Sequence, residues 1–370
     1  MFGSPGLQAY LKADVALNAM GAMQYDCLNL SNKEFLFGPD FILDSTNTYG
    51  VPVVSANIAY ADSAAPVAAP SRIITFDNFS VGITGILAEK YAAEVITPSD
   101  NASTTLTVLA ELPALQNAVS VLRGTVDIVI VLANSGLEAA KDIARDIAGI
   151  DVIVAGHGTD ETVVPMYINE TCIVKTGYYG ETIGNLTLSL DEHNTIIDFA
   201  GTVVRLDKTI EQDSDVLDVM EVYYKSLEQY KEDLFNIEQR VPDAGKYYVG
   251  ADTCVPCHST QHNSWTGSEH ALAIESLEET FRDYDPECVS CHVTGIGYVG
   301  GFKRPDVTPE LAGVQCEMCH GPGGAHLEDS SEQYGEIMGA RCAVCHTNEK
   351  DPTFVFVNDK ELVSHHFVEP

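Results

Sequence analysis

Eight cysteines and four histidines in the last third of the chain repeat one pattern, Cys-x-x-Cys-His: Cys254, Cys257 and His258; Cys288, Cys291 and His292; Cys316, Cys319 and His320; Cys342, Cys345 and His346. Two thiols at this spacing reach the two vinyl groups of a single haem and form thioethers, while the adjacent imidazole ligates the iron from the proximal face. Paired Cys-x-x-Cys knuckles also build tetrahedral zinc sites. A zinc ribbon does not need a histidine after every second cysteine, and all four copies have one, so the pattern predicts four haem c groups. The gaps between motifs, 29, 23 and 21 residues, are too short to hold a separate domain. The haems must therefore form one compact cluster.

The irons then need ligands on their far faces. Outside the motifs this region holds His262, His270, His326, His365 and His366. Imidazole suits a low-spin haem iron as sixth ligand, with its other nitrogen held by an orienting partner. His270, His326 and His365 are the expected distal ligands; His262 and His366 are further candidates, equally readable as solvated side chains. Methionine competes through Met318 and Met338. Met318 lies inside a Cys-x-x-Cys loop, from which it is poorly placed to cross to the far face of a haem. Since methionine raises the potential, mostly bis-histidine ligation predicts a low-potential electron carrier.

Haem attachment of this kind follows export, so the chain is expected outside the cytoplasm, periplasmic or extracellular. No apolar run approaches the roughly 20 residues of a membrane helix. No charged and apolar signal segment stands at Met1, which reads as a mature or truncated start. The chain has 370 residues, 20 Lys and Arg against 54 Asp and Glu, and a net charge of -34. From Lys246 onward the count is 7 against 20. Such a field repels nucleic acid and anionic membranes. It suits basic redox proteins, divalent cations or a salty exterior, and solubility alone accounts for it equally well; the expected partners are redox donor and acceptor proteins or an extracellular acceptor.

The character of the chain changes near Arg240. Before it, apolar periodicity predicts helices at Leu11–Met23, Ala114–Leu122 and Leu137–Ala148, with strands at Val53–Ala56, Val126–Leu132 and Val152–Ala155. This alternation implies an α/β domain with a largely parallel sheet. A β-rich stretch from Thr171 to Leu206 turns near Asp191–Asn194, and an amphipathic helix is expected from Val216 to Ile237, ended by Pro242 and Gly245. After Gly250 the pattern dissolves into short helices and loops, as expected where haems replace side chains in the core.

The C-terminal segment from Tyr248 to His365 resembles the tetrahaem cytochrome c family whose best-known member accepts electrons from hydroxylamine oxidoreductase. The likeness rests on Cys254 to His258 with Trp265, Ser268, His270 and Ala271, on Pro286 to Gly295, and on VQCEMCHGPGGAH from Val314 to His326. It implies electron transfer through packed, mostly bis-histidine haems, one iron often lacking a distal protein ligand. It also places His270 and His326 at distal positions.

The first 210 or so residues resemble the metallophosphatase domain of the 5'-nucleotidase family. The matching segments are LNAMGAMQYDCLNLSNKEF from Leu17, VDIVIVLANSGL from Val126, DVIVAGHGT from Asp151 and GETIGNLTLSL from Gly180. That family uses two metal ions to activate water against phosphorus. On this likeness Asn32 and His157 remain as ligands, whereas Lys33, Asn134 and Thr159 stand where histidines are expected, and the first metal motifs are absent. The resemblance thus implies an incomplete α/β metallophosphatase-like sandwich with catalysis lost, and an electron-transfer protein rather than an enzyme. The expected organisation is this domain over 1–212, a helix and linker over 213–247, and a mostly helical and irregular tetrahaem cytochrome c domain over 248–370.

Cys27 and Cys172 belong to no haem motif and, both lying in apolar strand-like runs, read as two buried thiols. Asn-x-Ser/Thr sequons stand at Asn29, Asn78, Asn101, Asn169 and Asn185, all in the first domain. Two other functions compete with electron transfer: a multihaem reductase with one open iron, and a redox-coupled phosphoesterase. A sheet lacking its first strands would leave an edge that recruits another copy. Self-association, up to a filament with a continuous haem chain crossed by His365 and His366, is the expectation that follows; a monomer or dimer is the alternative.

Overall fold

The computed structural model describes residues 6–95, 105–158, 161–162, 164–177, 179–207, 209–241, 247–331, 334–335 and 337–365. The chain divides into two compact units, Met1–Val219 and Met220–Pro370.

The first unit opens with α1 (Leu7–Ala22), β1 (Leu28–Asn29), α2 (Pro39–Thr48), β2 (Val53–Val54), β3 (Ile58–Tyr60), β4 (Ser71–Thr75) and β5 (Ser80–Leu87). It continues through α3 (Ala92–Val95), β6 (Leu106–Val108), α4 (Glu111–Arg123), β7 (Ile128–Asn134), α5 (Leu137–Asp146), β8 (Val152–Gly156), β9 (Met166–Ile168) and β10 (Thr171–Val174). A hairpin of β11 (Thr182–Leu190) and β12 (Ile196–Arg205) follows. The main sheet has the order β4-β5-β7-β8-β10-β9, in which β5, β7, β8 and β10 are parallel and the two edge strands antiparallel.

Both faces of this sheet are covered, which is why β7 is almost continuously apolar. Strand alternation sends Ile86 into a core with Leu115, Val119 and Leu122 of α4 and Ile143 of α5. Its neighbour Leu87 enters a second core with Leu17 of α1, Leu30 and Ile42 of α2. The pairing Leu87–Asn134–Gly156 aligns the carboxyl ends of β5, β7 and β8. Segments leaving those ends must meet at one edge of the sheet.

Strand β5 was not expected from the sequence, because two glycines interrupt SVGITGIL and glycine weakens a strand. Close approach explains them. A Cβ on Gly82 would come within 2.7 Å of Leu122, and one on Gly85 within 2.1 Å of the Asn29 side chain. Asn29 lies against β5 and donates from Nδ2 to the carbonyls of Ile86 and Leu132, each at 3.0 Å. That sequon is therefore committed to the interior, whereas Asn78, Asn169 and Asn185 are exposed and Asn101 lies outside the described residues. Cys172 is buried in β10, Cys27 is half-buried, and the two are separate free thiols.

The amphipathic helix is broken. It runs as α6 (Ser214–Leu227), a 3-10 turn at Glu228–Tyr230 and α7 (Lys231–Leu234). Tyr223, Leu227 and Leu234 are buried. Lys231 pairs with Asp306 at 2.9 Å and Arg304 with Glu232 at 2.7 Å, so charges from Lys303–Asp306 hold the turn down. Pro242 and Gly245 lie outside the described residues.

The second unit continues with α8 (Ala251–Thr266), α9 (Glu275–Glu278), α10 (Pro286–Val289), α11 (Cys316–His320), α12 (Gly324–Glu328), α13 (Gly339–Cys342) and α14 (Phe356–Asp359). Most of these are one turn long. A small apolar core of Ile274, Leu277, Val289, Val293, Phe302 and Leu311 does form, and it includes Val289 of the second Cys-x-x-Cys-His motif and packs against Cys288.

Candidate functional site

Each attachment motif is presented at a short helix or turn. The first lies within α8, where the backbone leaves helical geometry at His258 (φ -124°, ψ 39°) and so splits the helix after the motif. The third forms α11 and is fastened by a residue that sequence reasoning missed. Glu317 is 1 % exposed and accepts from the backbone N–H groups of Val249 (3.0 Å), Gly250 (2.8 Å) and Gly323 (2.7 Å). Burial raises its carboxyl pKa and these hydrogen bonds oppose the shift. Gln315 adds a second clasp, accepting from Ala251 N at 2.7 Å and donating to the Glu310 and Ala312 carbonyls at 2.8 Å. The signal was only a polar residue inside and just before a Cys-x-x-Cys loop.

The histidines fall into facing pairs. His258 and His326 have ring centroids 6.4 Å apart, His270 and His346 6.1 Å, and His320 and His365 6.2 Å. Two imidazoles on opposite sides of one metal ion need about 6 Å, given about 2 Å from metal to nitrogen and about 1 Å from nitrogen to ring centre. Each pair joins one motif histidine to one of the three expected distal residues. The orienting hydrogen bonds are present as well: Nδ1 of His292, His320 and His346 lies 2.6 Å from Ala273 O, 2.9 Å from Gly335 O and 2.8 Å from Asp351 Oδ2. That leaves Nε2 free for iron. Burial, then His346, lowers the pKa of His270; burial, then His320 and His258, lowers that of His365, favouring the neutral, ligating form.

Among the described residues, no other histidine ring faces His292 at this spacing. His262 stands beside Trp265, with ring centroids 5.5 Å apart, and its buried Nε2 makes no hydrogen bond. His366 lies outside the described residues. Met318 Sδ instead accepts from Gly295 N at 3.4 Å, and Met338 is exposed. The motif thiols also set an order: Cys254 contacts Cys316, Cys319 lies within electrostatic reach of Cys342, and Cys345 contacts Cys291. The motifs thus neighbour one another in the sequence first, third, fourth, second. This donor set fits haem c.

In the first unit a polar cluster sits where the parallel strands end. Asn32 and Lys33 follow β1, Lys90 follows β5, Asn134 ends β7, His157 follows β8 and Lys175 follows β10. Asn134 Nδ2 donates to Asn32 Oδ1 at 3.2 Å, and Asn32 Nδ2 to Glu94 Oε2 at 2.5 Å. Tyr91 OH lies 2.8 Å from His157 Nδ1, with the rings stacked at 3.9 Å. His157 and Gly158 both have positive φ, 68° and 84°, a backbone state that an active or binding site can hold under strain. Burial and the charges of Lys90, Lys33 and Lys175 lower the imidazole pKa, while Glu94 raises it. Thr159 lies outside the described residues.

A pair of divalent metal ions does not fit this donor set. Asn32 accepts from Asn134 and donates to Glu94, so its amide is spent, and the charges of Lys90, Lys33 and Lys175 all act on the imidazole. No group of three or more His, Cys, Asp or Glu converges as metal ligands among the described residues.

The first unit thus has a metallophosphatase-type α/β fold, and the second carries the attachment pattern of a c-type cytochrome. The family model for cytochrome c554 and c-prime matches residues 253–321. Cytochrome c-554 of Nitrosomonas europaea is 40 % identical over 136 residues, covering 27 % of this chain and 58 % of that protein. The bovine (Bos taurus) 5'-nucleotidase is 27 % identical over 238 residues, covering 58 % of this chain and 40 % of that one. Among solved structures, a sulfate thiohydrolase of Thermus thermophilus superposes with a TM-score of 0.54 at 19 % identity, over 72 % of this chain and 49 % of that chain. The C-terminal part therefore resembles the cytochrome c554 family and the N-terminal part the 5'-nucleotidases, and the chain spans only about half the length of these proteins. The expectation that the chain is no enzyme is corrected here: the proteins that its first unit resembles in sequence and fold are enzymes. No helix among the described residues is long and apolar enough to cross a membrane.

Proposed function

We propose that the chain is an extracytoplasmic electron carrier in which four haem c groups, attached at Cys254/Cys257, Cys288/Cys291, Cys316/Cys319 and Cys342/Cys345, form one conducting cluster. The proximal ligands are His258, His292, His320 and His346. The distal ligands are His326, His365 and His270, facing His258, His320 and His346 in that order. The observation that carries this is the common 6.1–6.4 Å spacing of the three imidazole pairs. When bound, the haems supply one-electron redox chemistry. The chain's own contribution is to hold each imidazole by its second nitrogen, to neighbour the sites in the order first, third, fourth, second, and to set a low potential through bis-histidine ligation. Redox proteins or an extracellular acceptor are the partners, and the first unit serves as a docking or assembly module. Purified holoprotein should contain four haems per chain, and His326→Ala should turn one low-spin haem high-spin. Fewer than four haems, or an unchanged spectrum in His326→Ala and His270→Ala alike, overturns the assignment.

A second reading rests on His292, which has no facing imidazole among the described residues. On this reading the haem that His292 would hold would lack a distal protein ligand, as in a multihaem reductase. Binding of carbon monoxide or nitric oxide to one haem of the reduced protein, with no other haem responding, tests this reading. A third, redox-coupled phosphoesterase chemistry in the first unit, follows the 5'-nucleotidases it resembles. Release of phosphate from a nucleoside monophosphate, lost in His157→Ala, is its test.

A further inference from the structure

Three of the motif histidines are held by acceptors of two different kinds. Nδ1 of His292 lies 2.6 Å from the carbonyl oxygen of Ala273, and Nδ1 of His320 lies 2.9 Å from that of Gly335. Those acceptors are neutral. Nδ1 of His346 instead lies 2.8 Å from Oδ2 of Asp351, which brings a full negative charge to the ring.

The chain builds this contact locally and fixes it from several sides. After His346 the backbone turns at Thr347, whose carbonyl accepts from the N–H of Asp351 at 2.7 Å and so brings the carboxylate back to the imidazole. Thr353 Oγ1 donates to the other carboxylate oxygen, Oδ1, at 3.1 Å. The N–H of Phe354 donates to the carbonyl of Asp351 at 3.2 Å, and the Phe354 ring stacks on His346 with centroids 4.6 Å apart and planes 20° apart. Both carboxylate oxygens are therefore engaged, and the ring that receives the bond is clamped. The side chains of His346 and Asp351 are 34 % and 35 % exposed. Water screens a charge at such a site in part, so the direct hydrogen bond is the effect that reaches the ligand.

A ligating histidine that donates to a carboxylate becomes a more basic, more electron-rich ligand. Such a ligand favours ferric over ferrous iron, and hydrogen bonding around the ligands is one of the levers that set a haem potential. A hydrogen bond to a charged acceptor is roughly twice as strong as one to a neutral acceptor. We propose that Asp351 is a positioning residue that tunes the haem of the fourth motif, holding it at a lower potential than a backbone carbonyl would. The inference rests on the four-haem reading above. In the neighbour order first, third, fourth, second this haem has a neighbour on each side, so Asp351 sets the height of an internal step between the third haem and the second.

Spectroelectrochemical titration of the full holoprotein at one fixed pH, with haem content measured for every variant, tests it. Asp351→Asn keeps an acceptor oxygen and removes the charge. It should shift the redox equilibrium of one haem about ten-fold toward the reduced form, which is ~59 mV for a one-electron couple, with the low-spin spectrum retained. The couple that moves should belong to the haem that His270→Ala turns high-spin. Thr353→Val should move the same couple in the same direction by a smaller amount. Glu349→Gln, three residues from His346 but exposed and paired with Lys350 at 3.5 Å, should move none, which separates the bond from the general charge of the surface. Four haems in each variant with every potential unchanged in Asp351→Asn overturns the proposal and leaves the haem reading standing, and so does an equal shift in Glu349→Gln. Fewer than four haems in the parent overturns the haem reading itself and this inference with it.

Discussion

The two units hold themselves together by different means. In the first, a parallel sheet is covered on both faces, and large side chains such as Leu17, Leu115, Leu122, Ile143 and Ile153 are 0–1 % exposed. In the second the apolar core is a cluster of six residues, one of them inside the second motif, and one-turn helices are clasped by buried polar groups such as Glu317 and Gln315. A sheet buries enough apolar area to fold by itself. A segment built around haems has its largest apolar surfaces in the cofactor, so its protein part retains only what positions ligands. The difference also appears in the sites: the first unit assembles polar groups from strand ends, whereas the second carries its chemistry in local repeats.

The sharpest break between the units should come from withholding haem. Produced without haem attachment, the chain should keep a cooperative unfolding transition for residues 1–219 and lose ordered structure in the second unit, as read by hydrogen exchange. Protection of both units alike would show that the short helices fold without cofactor. Next in size, Leu122→Ala should cost about 3 kcal/mol by leaving a cavity between α4 and the sheet, lowering the first unit's melting point with the haem spectrum unchanged. Glu317→Ala should cost about 2 kcal/mol, because three backbone N–H groups lose their acceptor, and its effect should be confined to the second unit. The smallest effect concerns Cys27 and Cys172, whose thiols burial pushes up to about 11. With the thiolate scarce at pH 8, neither should react with iodoacetamide in the folded protein, as checked by mass spectrometry; alkylation should begin when denaturant unfolds the first unit.

Self-association is a separate proposal. The edge strands β4 and β9 offer ladders to another copy, while His365 stands opposite His320 of its own chain. Light scattering across salt concentrations checks it, and a monodisperse monomer throughout would remove the filament.

The haem-attachment pattern was legible because the chemistry it implies is local: two thiols and an imidazole within five residues can meet one cofactor whatever the rest of the chain does. The alternation of strands and helices was legible for the same reason, and it failed at β5, where Gly82 and Gly85 answer to Leu122 and Asn29 rather than to their neighbours in sequence. It failed again near Tyr230, where a helical apolar period continues but ion pairs with Lys303–Asp306 accompany a turn. Counting histidines named His270, His326 and His365 as ligands but not their partners. That His326 faces His258 and His270 faces His346 follows from how distant segments pack, and no local spacing encodes it. The lysines are the plainest case. Each of Lys90 and Lys175 is an isolated base in an acidic chain, and only the parallel register of the sheet, by aligning the carboxyl ends of β5, β7, β8 and β10, brings them to the edge that holds His157.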